Sequence, residues 1–261
     1  MLSNEPRCIL HRNQLAEVIC QFRFPEILII GTTPPAEFQE KIRGAFPQYS
    51  VRKETNGPQV KNVNGKIQVE NSPVTVNYQF MSEDNLWKVN LTSGFISLSC
   101  KRYTRWEEFA SRFDQVLAAF ITTYSPAYFT RIGLRYINFI SRQSLELENV
   151  PFKELIEPCY LGLLAEDDVV ETATHQSTVD AQLQLRNGTS LKVHAGPGMV
   201  TRNGIHEKEA KFVFDQDLFK SGNIPVQNCA NVLSSLHGQA YAVFRGAITD
   251  TLFDAMEPEQ L

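Results

Sequence analysis

FTRIGLRYINFI, residues Phe129 to Ile140, alternates apolar and polar residues with the period of two that marks a strand. Ile132, Leu134 and Tyr136 leave on one side, while Arg131, Gly133 and Arg135 leave on the other. One face therefore belongs to a core, and the other carries two arginines. LAEVICQFRF, residues Leu15 to Phe24, follows the same rule. There Ala16, Val18, Cys20, Phe22 and Phe24 share a face, opposite a set that includes Glu17, Gln21 and Arg23.

Each of these strands opens a similar succession. After the first, Thr33 is placed to cap a helix with Pro34 and Pro35 in its first turn. Phe38, Ile42 and Phe46 form its apolar stripe, and Pro47 ends it. Short strands follow, with a hairpin turn at Asn64-Gly65 and a meander over Val74–Phe80, Leu86–Leu91 and Phe95–Cys100. Thr104-Arg105-Trp106-Glu107 reads as a capping box. It opens a long helix with Trp106, Phe109, Phe113, Val116, Phe120 and Tyr124 at helical spacing, a pattern best explained by core packing.

The second leading strand is followed by a short helix near Pro151–Glu157. Strands are predicted near Val169–His175, Val179–Arg186, Ser190–His194 and Lys211–Leu218, with a turn at Asn187-Gly188 and a loop over Ala195–Gly204. A long helix capped by Asn228 closes the chain. The predicted fold class is α+β: two tandem β-α-β(3-4)-α units, residues 1–126 and 127–261, with antiparallel sheets each backed by a long helix.

The 261 residues are 43% hydrophobic and 21% charged, enough apolar material for a real core. A net charge of −4 argues against broad binding to nucleic acid, which needs a basic surface. Met1–Leu10 lacks the apolar core of a signal peptide, and the longest apolar run, Ile27–Ile30, is too short to cross a bilayer. A cytoplasmic protein without membrane contact is expected. Five widely spaced cysteines make no disulfide framework and are expected as reduced core or near-core thiols.

Chemistry-bearing patterns are sparse. The five histidines form no His-Glu-x-x-His, so no metal site is assigned, and Gly196-Pro197-Gly198 lacks the lysine of a phosphate loop. No Gly-x-Ser-x-Gly is present, and Glu166-Asp167-Asp168 reads as a solvated turn. No cofactor and no catalytic residue are assigned. Arginine pairs well with carboxylates and phosphates, so the outward set Arg23, Arg131, Arg135, Gln182, Gln184 and Arg186 is the candidate partner-binding surface. His175, Asp180 and His194 are the alternative candidates for a ligand site between sheet and helix.

The order of elements resembles the TATA-binding-protein-like architecture, which includes helix-grip proteins that hold apolar ligands. FTRIGLRYIN (Phe129–Asn138), YTRWEEF (Tyr103–Phe109) and LHGQAYAVFRGAITDTLFDAM (Leu236–Met256) resemble a sporadically distributed, largely uncharacterised prokaryotic family of about this length. That resemblance implies a prokaryotic protein, and its patchy distribution implies association with mobile defence loci. The resulting expectation is a noncatalytic regulatory, adaptor or inhibitory subunit that binds a protein encoded in the same operon, with oligomers allowed. The alternatives are a helix-grip binder or enzyme with its site between sheet and long helix, and nucleic-acid binding by the curved sheet.

Overall fold

The computed structural model describes residues 1–55, 59–63, 66–70, 74–202 and 205–260, with side chains described outside 54–73 and 201–208. The strands are β1 (Cys8–Leu10), β2 (Leu15–Arg23), β3 (Gln48–Thr55), β4 (Gln59–Val63), β5 (Lys66–Glu70), β6 (Val74–Met81), β7 (Trp87–Leu91), β8 (Phe95–Cys100), β9 (Phe129–Ile140), β10 (Val179–Gln184), β11 (Ser190–Arg202), β12 (Ile205–Ile224) and β13 (Pro258–Gln260). The helices are α1 (Leu28–Thr32), α2 (Ala36–Ile42), α3 (Trp106–Tyr124), α4 (Pro158–Leu161), α5 (Cys229–Arg245) and α6 (Asp250–Ala255). The fold is α+β, built on a large antiparallel sheet.

That sheet has nine strands in the order β10-β11-β12-β9-β2-β8-β7-β6-β3. The element order suggested one sheet for each half, but the strands form a single one. The two leading strands pair with each other, with Cys20 opposite Leu134 and Phe22 opposite Ile132. Two small ladders lie apart from it, β1 with β13 and β4 with β5. The turn residues Asn64-Gly65 lie outside the described residues, although the flanking strands β4 and β5 pair antiparallel.

The apolar sets read from alternation form one core face. Val18, Cys20, Phe22, Ile132 and Leu134 are fully buried. α3 covers the β2–β8 side, with Phe113 edge-on to Phe22 at 4.9 Å and Phe120 against Phe24 at 4.7 Å. Phe129 of β9 meets Phe22 edge-on at the same 4.9 Å, so this ring joins elements of both halves. α5 covers β9 and β12, with Phe244 against Phe214.

Several local readings change. α2 begins after Pro35, and Thr33 instead ends α1, its amide bonding to the Ile29 carbonyl. The residue at the N-cap of α3 is Arg105; Thr104 donates its hydroxyl to Glu108 at 2.6 Å, so the capping box does not form. Asn228 closes a 3-10 turn before α5 and makes no side-chain cap.

The strand expected at Val169–His175 is a loop with a 3-10 turn over Glu171–Ala173. Glu171 is committed elsewhere, accepting from Arg142 and from the Phe152 amide, both at 2.7 Å. The loop expected from Ala195 is strand as far as Arg202; Asn203 and Gly204 lie outside the described residues. Gly196 makes this course feasible, since a Cβ there would stand 2.4 Å from the Ser177 carbonyl oxygen. At the β10–β11 turn Gly188 takes φ +79°, and its amide donates to the Leu185 carbonyl.

Replacing Phe22 removes the ring that joins α3, β2 and β9. Phe22→Ala is expected to cost about 3–5 kcal/mol, read as a lower urea midpoint with an unchanged denaturant slope.

Candidate functional site

The inward face of the sheet should be apolar throughout, yet it is interrupted at one place. On β9 the inward series runs Ile132, Leu134, Tyr136, Asn138, Ile140, and on β12 it runs Phe212, Phe214, Gln216, Leu218. Tyr136, Asn138 and Gln216 are only 6, 3 and 2% exposed. They adjoin one another, since Tyr136 is the register partner of Gln216 and Asn138 that of Phe214. Burying three polar side chains under a helix is costly unless each is hydrogen-bonded.

α5 lays His237 on this patch. Arg7 Nη1 donates to His237 Nε2 at 2.5 Å, so that nitrogen is the acceptor and the ring proton sits on Nδ1. Nδ1 then donates to the Tyr136 hydroxyl at 2.9 Å. The Tyr103 ring stands edge-on to Tyr136 at 5.9 Å. Trp106, at the start of α3, stacks flat on His237 at 4.1 Å and 6°. Arg7 completes the chain by donating to Glu107 at 2.7 Å.

The electrostatics follow from this geometry. Burial, with the adjacent Arg7 guanidinium, lowers His237 to about 4, so the ring is neutral near pH 7. Burial raises Tyr103 to about 12 and Tyr136 well above its ordinary value, so both phenols keep their protons. Hydrogen bonding from Arg7 brings Glu107 down to about 2. The two full charges nearest the ring therefore form an ion pair at the rim, and the interior is uncharged.

These groups border a cavity of about 120 Å³. Leu10, Leu15, Ala240 and Phe244 supply apolar wall, and Tyr103 and Gln216 line it beside Tyr136. Gln216 Nε2 donates to the Ala240 carbonyl at 3.2 Å, which fixes the amide; its buried Oε1 has no partner among the described residues. The N-terminal segment closes one side. Ser3 bonds to the Ala242 carbonyl, Glu5 pairs with the buried Arg245 at 2.7 Å, and β1 is held by β13.

The residues singled out in the sequence lie elsewhere. Arg131 pairs with both carboxylate oxygens of Asp217 at 2.7 and 2.9 Å and stacks on Phe219. It lies across Gly133, where a Cβ would stand 2.3 Å from its Nη1. Arg135 is held by both oxygens of Asp215. Arg23 is exposed and bonds to Gln21 at 2.8 Å, while Gln182, Gln184 and Arg186 are exposed on or just beyond β10.

Asp180 and His194 bond to each other at 2.7 Å, on the outer side of the sheet with Arg135 and Asp215. They do not lie between sheet and helix. His175 is exposed in the loop before β10 and is not brought to them.

The sequence reading passed over Asn138, Gln216 and His237 as site residues. The signal available was the break in two apolar alternations, at Asn138 and at Gln216. Three distant stretches meet here: Tyr103, Trp106 and Glu107 come from around the start of α3, Tyr136 and Asn138 from β9, and His237 and Ala240 from α5. No family model and no curated protein matches the chain. Among the described residues no cluster of His, Cys, Asp and Glu could hold a metal ion, and no helix is long and apolar enough to cross a membrane. Cys20, Cys100 and Cys229 are buried free thiols, and burial pushes all three upward in pKa.

Two outcomes are expected. His237 takes up a proton at its ordinary 6.5 when unfolded but only near 4 when folded, so its contribution is complete above pH 6.5 and lost as pH falls toward 4. That loss amounts to about 3 kcal/mol. Urea midpoints measured at about pH 7 and about pH 4.5 should differ less in His237→Gln than in the parent. Arg131→Ala leaves the half-buried Asp217 unpaired and should cost about 1–3 kcal/mol in urea unfolding.

Proposed function

We propose that this protein binds a small molecule in the cavity between the sheet, α3 and α5. The observation that carries the reading is the patch of Tyr136, Asn138 and Gln216, three buried polar side chains placed where the inward face should be apolar, with a Gln216 oxygen left unsatisfied. Apolar walls with a few convergent polar groups are the usual chemistry of a ligand site. This reading keeps the helix-grip alternative's location between sheet and long helix and assigns it to other residues. The Arg131 and Arg135 surface is less suited to recognition, because Asp217 and Asp215 already pair with both guanidinium groups.

A second reading is recognition of a protein partner encoded in the same locus, as a regulatory or inhibitory subunit. It is favoured by β10, an outermost strand that exposes Gln182 and Gln184 together with Leu183 at 42%. Nucleic acid is a weaker partner, given the net charge of −4 and the paired arginines.

Thermal-shift screening against a metabolite library, with native mass spectrometry of gently purified protein, tests the first reading. Compounds that stabilise the parent should lose their effect in Trp106→Ala and keep it in Arg131→Ala. Stabilisation that survives Trp106→Ala and disappears in Arg131→Ala would move the site to the outer face.

A further inference from the structure

The order of protons around the cavity restricts what it can hold. Arg7 is a permanent donor, so His237 must accept at Nε2 and donate at Nδ1. Tyr136 accepts that bond, and Tyr103 stands edge-on beside it. Among the described residues no acceptor receives the Tyr103 proton, so its hydroxyl can donate into the cavity it lines. Across the same Tyr136 ring, Gln216 has its amide nitrogen tied to Ala240 and its oxygen unsatisfied. One donor and one acceptor thus line the cavity beside one tyrosine, and the charges at its rim, Arg7, Arg105 and Glu107, are paired with one another.

The size is equally restrictive. A dry cavity of about 150 Å³ accepts benzene, and this one measures about 120 Å³. It fits a single ring or an amide-sized group and excludes a fused multi-ring compound without movement of the walls. An ammonium would lose its hydration and meet no free carboxylate, because Glu107 is already held by Arg7 and Arg105 at the rim, and a carboxylate would have to draw one of these arginines from Glu107.

Resting on the small-molecule reading above, we propose that the ligand is uncharged and planar, about one ring in size, with an acceptor and a donor on one edge, as in a cyclic amide. Tyr103 donates to its carbonyl oxygen, and Gln216 Oε1 accepts from its N–H. The ring packs between the apolar wall at Leu10, Leu15 and Phe244 and the polar floor at Tyr136 and Asn138.

The full chain is titrated by ligand-observed NMR with three probes of equal ring size: 2-pyridone, benzoate and toluene. 2-Pyridone is expected to bind about tenfold or more tightly than either rival, since two neutral hydrogen bonds together supply that factor. Gln216→Leu should erase most of this preference while leaving toluene binding intact. Tyr103→Phe, a smaller change, should weaken 2-pyridone about threefold to tenfold. Toluene binding as tightly as 2-pyridone in the parent overturns the donor–acceptor inference but leaves the cavity a binding site. Tighter benzoate binding overturns the uncharged interior. A preference for 2-pyridone that survives both variants overturns the assignment of the two residues. Binding of none of the probes at millimolar concentration overturns the inference and the small-molecule reading together.

Discussion

β2 and β9 lie side by side at the centre of the nine strands, and each gives its other edge to a strand of its own half, β8 or β12. Neither is exposed as an edge, so neither needs the charges, bulges or proline that guard free edges. Their register also couples the two halves side chain by side chain. Cys20 opposite Leu134 and Phe22 opposite Ile132 force both inward sets to the same side. A slip of one residue would turn Phe22, with its contacts to Phe113 and Phe129, out to water. α3 and α5 consequently share one face of one sheet, and the opposite face is left to Arg131, Arg135 and their aspartates.

That arrangement locates the cavity. Trp106 of α3 meets His237 of α5 above β9, and beneath them the sheet turns polar at three adjoining positions. Each polar group there has a definite role in a network: Tyr136 receives from His237, Asn138 gives to the Phe214 carbonyl at 3.3 Å, and Gln216 gives to Ala240. Neutrality is a consequence of the packing. Burial of the His237 ring and the guanidinium of Arg7 at its edge both disfavour a second positive charge.

The strands with strict alternation were legible, because half-burial imposes its period directly on the residues: Leu15–Phe24, Phe129–Ile140 and the stripe of α3 needed no tertiary knowledge. Local stops and starts were less so. Thr104 and Asn228 are good caps by type, but Glu107 was drawn away by Arg7, which stands 100 residues earlier in the chain, and a 3-10 turn absorbed Asn228. The outward direction of Arg131 and Arg135 was legible, but their ion pairs were not, since alternation says nothing about Asp215 and Asp217 on a neighbouring strand. The cavity was hardest to see. Its polar residues look like ordinary exceptions within apolar strands, and only the β9–β12 register brings Tyr136 beside Gln216.

Arg7 and His237 are 230 positions apart, and β1 is clamped by β13 at the far end of the sequence. One wall of the cavity therefore joins segments that lie far apart along the chain. β1 has its strand partner only once β13 is in place, so this wall forms when the two segments fold together. Its closure is a long-range event that must overcome loop-closure entropy before its contacts repay it.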